Sequence, residues 1–172
     1  MVIRTHVGVS LDGFLADADG TAAWESLPGY EHRSRGIAEV LEHSEAVVMG
    51  RTTFDRGLSK WGKHWPWPDQ DVHVLTSRPL PDGVAARACA GPADLLRRLQ
   101  LTGLMGDVHL LGGARTIRTF LDLGAIDRLG VVVLPTLLGK GIRLFADASQ
   151  SLRLQCQRTH PGGAVELIYT PA

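Results

Sequence analysis

Val108 to Arg115, VHLLGGAR, limits what this chain can fold into more than any other stretch. Val108 to Leu111 is an apolar run of strand length, and Gly112 and Gly113 stop it. Ala114 to Leu123 then carries Ile117, Phe120 and Leu121 at i, i+3, i+4 spacing, which predicts a helix. A strand, a diglycine turn and a helix N-terminus form the repeating joint of layered α/β sheets. Two glycines let a ligand approach the backbone without meeting a Cβ. The unpaired N–H groups and the positive dipole end of the helix favour a phosphate there. The same joint also serves as an ordinary strand-to-helix turn. It is neither the GxGxxG dinucleotide fingerprint nor a P-loop, which requires GKS or GKT.

The same alternation runs through the chain. Val2 to Val9 predicts a first strand with Ile3, Val7 and Val9 on one face, and Ser10 to Ala16, SLDGFLA, contains an Asp12-Gly13 turn. A helix is expected from near His32 to His43, with Ile37, Val40 and Leu41 buried. Glu45 to Met49, Val72 to Leu75, Val84 to Ala88 and Ile126 to Leu134 predict further strands, and Pro92 to Leu101 a helix opened by proline. Val131 to Leu134 is uninterruptedly apolar, as in a strand covered on both faces. Pro135 to Gly141 reads as a loop, and Leu152 to Gln157 with Val165 to Tyr169 as a terminal antiparallel hairpin. Trp61 to Pro68, WGKHWPWP, is proline-broken and aromatic. It is a hydrophobic lid, a wall of a cleft or a packed structural loop.

The expected fold class is therefore α/β, a single domain over residues 1–172 with a mainly parallel sheet, helices on both faces and a C-terminal hairpin. Eighteen basic and eighteen acidic side chains give no net charge, so no global field attracts nucleic acid or a membrane surface. No apolar run approaches membrane-span length, and Asp17, Asp19 and Gly20 lack the glutamate of a calcium loop. No metal is expected. Cys89 and Cys156 form no CxxC and suit free thiols in a cytoplasmic protein.

Three predicted strand ends share one chemistry. Gly50-Arg51-Thr52-Thr53, Thr76-Ser77-Arg78 and Gly112-Gly113-Ala114-Arg115-Thr116 bring glycines, hydroxyls or arginines just past an apolar strand. Ligands of open α/β sheets bind outside these carboxyl ends, and Arg with Ser/Thr suits phosphate oxygens. Arg51 taken alone also fits a solvated surface residue. Two separate phosphate subsites fit NADPH, with the pyrophosphate at the diglycine turn and the 2′-phosphate at the Arg/Thr/Ser cluster.

SLDGFLA, VVMGRTTF, HVLTSRPL, HLLGGARTIRTFL and VVVLPTLLGKGIRLF together resemble, in order, the successive blocks of the dihydrofolate-reductase-like superfamily. The resemblance is nearest to the reductase domain of bacterial riboflavin biosynthesis. It implies a three-layer dihydrofolate-reductase-like fold and NADPH-dependent hydride transfer to a small heterocycle. The best-matching substrate is 5-amino-6-(5-phosphoribosylamino)uracil. By this resemblance Arg51, Thr52, Thr53, Thr76, Ser77 and Arg78 hold the 2′-phosphate side. Gly112, Gly113, Ala114, Arg115 and Thr116 hold the pyrophosphate, and Val9, Ser10, Leu15 and Ala16 line the nicotinamide. Gly50 joins the cofactor set, and Asp12 stands near the meeting of cofactor and substrate, where it binds substrate or takes part in catalysis. Such proteins are often homodimers. Dihydrofolate reductases carry an acid near the start of the first helix, whereas this chain has Arg33, Ser34 and Arg35 in that register. Dihydrofolate reduction is the second enzymatic reading. A non-catalytic nucleotide-binding or interaction module on the same fold is a third, because fold alone does not fix function.

Overall fold

Strand β1, Ile3–Ser10, sends Ile3, Val7 and Val9 into one hydrophobic layer and His6 and Gly8 toward the opposite face of the sheet. The protein is described by a computed structural model, whose described residues are 1–27, 40, 42–61 and 64–172. The helix expected over 32–43, with Ile37 and Leu41, and the Arg33 to Arg35 register lie outside the described residues, apart from Val40 and the last two positions of that helix. In order the chain then forms β2 (Phe14–Ala16), a short 3-10 turn (Ala23–Ser26), β3 (Ser44–Gly50), α1 (Arg51–Trp61), β4 (Asp71–Leu75) and β5 (Arg87–Cys89). Next come α2 (Pro92–Leu101), β6 (Asp107–Gly112), α3 (Ala114–Asp122), β7 (Arg128–Leu134), β8 (Ile142–Arg143), β9 (Leu152–Thr159) and β10 (Val165–Pro171).

Eight strands form one sheet in the order β5-β4-β3-β6-β1-β7-β10-β9. Its first six strands are mutually parallel, and β10 runs antiparallel to both β7 and β9. This is the expected mainly parallel sheet with a terminal hairpin. Helices cover both faces. Ile117 and Phe120 of α3 and Leu95 and Leu99 of α2 pack on Val48, Val108 and Leu110. Phe54 of α1 packs on Val47, Met49, Val72 and Val74 on the other face. The β7 run splits as a doubly covered strand must, with Val131 in one layer and Val132 in the other.

Two expectations change. The strand placed at 84–88 is only Arg87–Cys89, because Val84 instead packs with the tryptophan cluster. Trp61 belongs to α1 as its last residue rather than to the irregular loop. Two-residue β8, too short for any periodic signal, pairs antiparallel with β2 in a small second sheet.

Sheet order fixes where a ligand can enter. β3 and β6 are neighbours, with Met49 opposite Gly112, yet α1 leaves β3 over one face and α3 leaves β6 over the other. Adjacent strands whose helices depart to opposite faces open a crevice at their carboxyl ends, the usual ligand position in such sheets.

Candidate active site

Gly50 and Gly113 face each other across that crevice. A Cβ on Gly50 would fall 2.5 Å from Thr116 Oγ1, and one on Gly113 would fall 3.2 Å from Thr53 Oγ1. Each turn thus lies against the hydroxyl of the opposite helix. Gly112 has φ +120, open only to glycine, and its bond to Gly113 is cis. Gly113 caps α3 with no side-chain hydrogen bond, and neither α1 nor α3 has an acidic residue in its first turn. The first turns of α1 and α3 therefore meet at one cradle without an acidic residue of their own, which is electrostatics suited to a pyrophosphate.

Arg51 opens α1 beside the cradle. Its Nε donates to Asp55 Oδ1 at 2.6 Å and its Nη1 to the Pro79 carbonyl at 3.0 Å. Arg78 approaches the same carboxylate, with Nη2 3.7 Å from Asp55 Oδ2, and its side chain is 68% exposed. Two guanidinium groups thus share one carboxylate and leave an uncompensated positive charge. The Arg78 N–H donates to Thr76 Oγ1, which shapes the turn.

The cleft has a volume of about 1480 Å³. Single small-molecule pockets run to roughly 1,000 Å³, so this one has room for a dinucleotide and a second small molecule. Of the residues expected to hold cofactor, Leu15, Ala16, Gly50, Arg51, Thr52, Thr53, Thr76, Gly113, Ala114, Arg115 and Thr116 line it. Val9, Ser10, Ser77, Arg78 and Gly112 are not among the lining residues. Val9 turns into the core, and Gly112 shapes the turn from behind. Asp12 also stands apart from the lining. Its carboxylate accepts from the backbone N–H groups of Gly139 at 2.7 Å and Leu138 at 3.2 Å. The Ser10 hydroxyl, followed by these amides, holds its pKa down at about 2, and the bonds tie the SLDG turn to the loop before β8.

The far end of the cleft joins residues of the tryptophan segment to others that no motif announced. His6, Val7 and Gly8 form its floor, with Trp24 on one side and Trp61 and Trp65 on another. A Cβ on Gly8 would lie 3.4 Å from Leu134 Cδ1 and 3.7 Å from Trp24 Cδ1, ordinary packing distances. Trp61, Trp65 and Trp67 stack edge to face at 4.7–5.8 Å between centroids. The tryptophan segment is thus both packed structure and cleft wall. The segment before β3 is strapped to α1 by Lys60 Nζ with Glu25 Oε2 at 2.5 Å and by Arg56 Nη2 with the Asp19 carbonyl at 2.7 Å. Beneath the floor, His6 Nε2 lies 2.9 Å from Glu166 Oε1. The sequence signal for this pair was faint: each is one polar residue among several in its strand.

A second polar cluster carries the residue types of a thiol dyad but not its electrostatics. Cys89 Sγ lies 3.7 Å from His73 Nδ1, and His73 Nε2 lies 3.2 Å from Asp71 Oδ2. Burial pushes the Cys89 thiol up and the His73 imidazole down, the reverse of an activated thiolate. Both cysteines are free. Among the described residues no cluster of His, Cys, Asp or Glu is placed to hold a metal, and no helix is long and apolar enough to cross a membrane.

An uncharacterized Bacillus subtilis protein, YwjB, is 29% identical over 97% of this chain and 96% of its own length. The riboflavin biosynthesis protein RibD of Corynebacterium ammoniagenes is 30% identical over 83% of this chain, which matches 47% of that protein. A putative riboflavin biosynthesis protein of Shewanella sp. PV-4 superposes with a TM-score of 0.85 at 26% identity, covering 100% of this chain and 99% of the other. A Thermotoga maritima diaminohydroxyphosphoribosylaminopyrimidine deaminase/5-amino-6-(5-phosphoribosylamino)uracil reductase shares the fold, with a TM-score of 0.76 at 16% identity over 99% of this chain and 56% of that one. Residues 2–165 match the RibD C-terminal domain, and the chain belongs to that family.

Proposed function

We propose that this protein is an NADPH-dependent reductase of a small heterocycle, with a phosphoribosylamino-uracil of riboflavin biosynthesis as its substrate. The observation that carries the reading is the convergence of two helix first turns, neither with an acidic residue, on one glycine-lined cradle. The family and the reductase named among its structural neighbours support the substrate class. Gly50, Gly113, Thr53 and Thr116 fit the pyrophosphate, because every Cβ that would fill the cradle is missing. When bound, NADPH supplies hydride, and the apolar Leu15 and Ala16 with the Trp24 and Trp61 rings keep water from the transfer.

The test pairs NADPH titration with an NADPH-oxidation screen over 5-amino-6-(5-phosphoribosylamino)uracil, dihydrofolate and small carbonyls. NADPH binding with fastest oxidation on the aminouracil is expected. Failure to bind NADPH would leave only the non-catalytic module, and preferential turnover of dihydrofolate would move the assignment to dihydrofolate reduction.

A preference for NADPH over NADH follows from Arg51 and Arg78 around the single Asp55 carboxylate. One hydrogen bond to a charged 2′-phosphate contributes roughly 1.5–3 kcal/mol, which is at least about tenfold in Kd. Arg78→Ala is expected to erase most of that ratio by weakening NADPH alone. Equal Kd values for the two cofactors in the unmodified protein would refute the subsite.

We further propose a homodimer. β9 ends the sheet, and all eight of its residues are exposed, with Leu152 and Leu154 at 38% and 48%. An unpaired edge flanked by leucines is suited to a second copy of itself. Sedimentation at micromolar concentration is expected at twice the chain mass, and Leu154→Lys is expected to return it to the monomer. A wild-type monomer would count against the pairing.

A further inference from the structure

Charge along the cleft is uneven. Among the described residues, Arg51, Arg56, Lys60 and Arg115 line it against a single carboxylate, that of Glu25. The cofactor reading accounts for two of the four cations. Arg51 belongs to the 2′-phosphate corner, and Arg115 stands in the first turn of α3 at the pyrophosphate cradle. Arg56 and Lys60 have no part in either subsite. They lie four residues apart on α1, hence on one side of the helix, and both line the cleft. Lys60 directly precedes Trp61, and its partner Glu25 directly follows Trp24. The two cations therefore stand beside the rings that wall the far end.

Glu25 offsets one of them, with Oε2 2.5 Å from Lys60 Nζ. Arg56 has a seat but no counterion. Its Nη2 donates to the Asp19 carbonyl at 2.7 Å, and its guanidinium lies so close over Gly20 that any Cβ there would collide with it. The turn beneath it is closed by its own bonds. The Gly20 N–H donates to the Asp17 carbonyl at 3.0 Å, and the Thr21 N–H to Asp17 Oδ1 at 2.8 Å. The Asp17 carboxylate is thus engaged by an amide, and no carboxylate among the described residues pairs with the Arg56 guanidinium. Two cations and one carboxylate leave a positive charge unmatched at this end. Like charges four residues apart on a helix also repel one another, and an anion between them relieves that repulsion.

Resting on the reductase reading, we propose that Arg56, assisted by Lys60, binds the phosphate of the substrate and makes the enzyme select a phosphorylated heterocycle over the same compound without its phosphate. The cleft then holds three anion subsites, two for the cofactor and one for the substrate. Trp24, Trp61 and Trp65 offer apolar walls to a flat ring, and the cations at their edge take the anionic group on its tail. A phosphate monoester accepts from a guanidinium and an ammonium together through charge-assisted hydrogen bonds. The bond to Asp19 holds the Arg56 head in place before the substrate arrives, which spares part of the ordering cost of binding.

The experiment uses the full chain and two compounds, 5-amino-6-(5-phosphoribosylamino)uracil and its dephosphorylated form. Wild type is expected to show a KM at least about tenfold lower for the phosphorylated compound, the scale of one hydrogen bond to a charged group. Calorimetric titration of the protein loaded with oxidised cofactor is expected to give a matching ratio of Kd values without turnover. Arg56→Gln is expected to raise the KM of the phosphorylated compound until the two values nearly coincide, a loss in KM rather than kcat. Arg56→Lys, which keeps the charge, is expected to recover part of the ratio. Glu25→Gln removes the competing carboxylate and is expected to lower the KM of the phosphorylated compound by roughly threefold, a gain that a purely structural strap would not produce. Equal KM values for the two compounds in wild type would overturn the subsite, as would a folded Arg56→Gln protein that keeps the wild-type ratio. Loss of the NADPH-over-NADH preference in Arg56→Gln would also overturn it, by giving the guanidinium to the cofactor. A wild-type protein that binds NADPH yet reduces neither compound would overturn the reductase reading itself, and the subsite with it.

Discussion

Gly113→Val is expected to abolish nucleotide binding in a protein that remains folded. Gly113 has φ −81 and ψ −160, extended backbone that valine adopts without strain. The one atom a Cβ would crowd is Thr53 Oγ1 at 3.2 Å, on a side chain able to shift by a few tenths of an ångström. The fold therefore bears little of the cost. The cradle bears the rest, because the branched side chain occupies the space where a pyrophosphate meets the first N–H groups of α3. A loss of at least about 100-fold in NADPH affinity, about 2.7 kcal/mol or more, is the expected titration result, with an unchanged circular dichroism spectrum. Gly112→Ala is the contrast. At φ +120 alanine is strained whatever the space, so this variant is expected to lose thermal stability first. A folded Gly113→Val protein with wild-type NADPH affinity would remove the phosphate from this turn.

The elements of this site that were legible in the sequence are local ones. A strand, a glycine and a helix N-terminus are contiguous, so HLLGGART announced its strand-turn-helix joint, and VVMGRTTF its strand end, without any long-range information. The helix α3, its buried face and the terminal hairpin follow from periodicity over a few residues. What stayed hidden depends on distance along the chain. His6 and Glu166 are 160 positions apart, and Asp12 finds its amides 126 and 127 positions away. No periodic pattern encodes such pairs. The sheet order places β10 beside β7 and β7 beside β1, and only then does a lone glutamate meet a lone histidine. Arg51 marks the boundary between the two cases. Its motif position was visible, but its sharing of Asp55 with Arg78 depends on how the β4 turn lies against α1.

Phe120→Ala is expected to cost stability and spare the site, the opposite pattern to Gly113→Val. Phe120 is completely buried on the underside of α3, packed in the layer that contains Leu95, Leu99, Val108 and Leu110. Deleting a buried phenyl ring loses its transfer free energy and leaves a cavity, together roughly 3–5 kcal/mol. Against a total stability of about 5–15 kcal/mol, that is a large share, and the melting temperature is expected to fall by roughly 10 °C. Ile117, also fully buried one turn earlier, still anchors the N-terminal half of the helix. The cradle therefore keeps its geometry in the folded fraction, and NADPH affinity measured at low temperature is expected to stay near wild type. Ligand linkage then separates the two variants in one assay. NADPH at a hundred times Kd adds about 2.7 kcal/mol to any form that binds it, enough to recover much of the lost melting temperature in Phe120→Ala. The same concentration is expected to leave the melting temperature of Gly113→Val almost unchanged. A Phe120→Ala protein that NADPH fails to stabilise would mean that the packing beneath α3, and not the turn alone, sets the phosphate site.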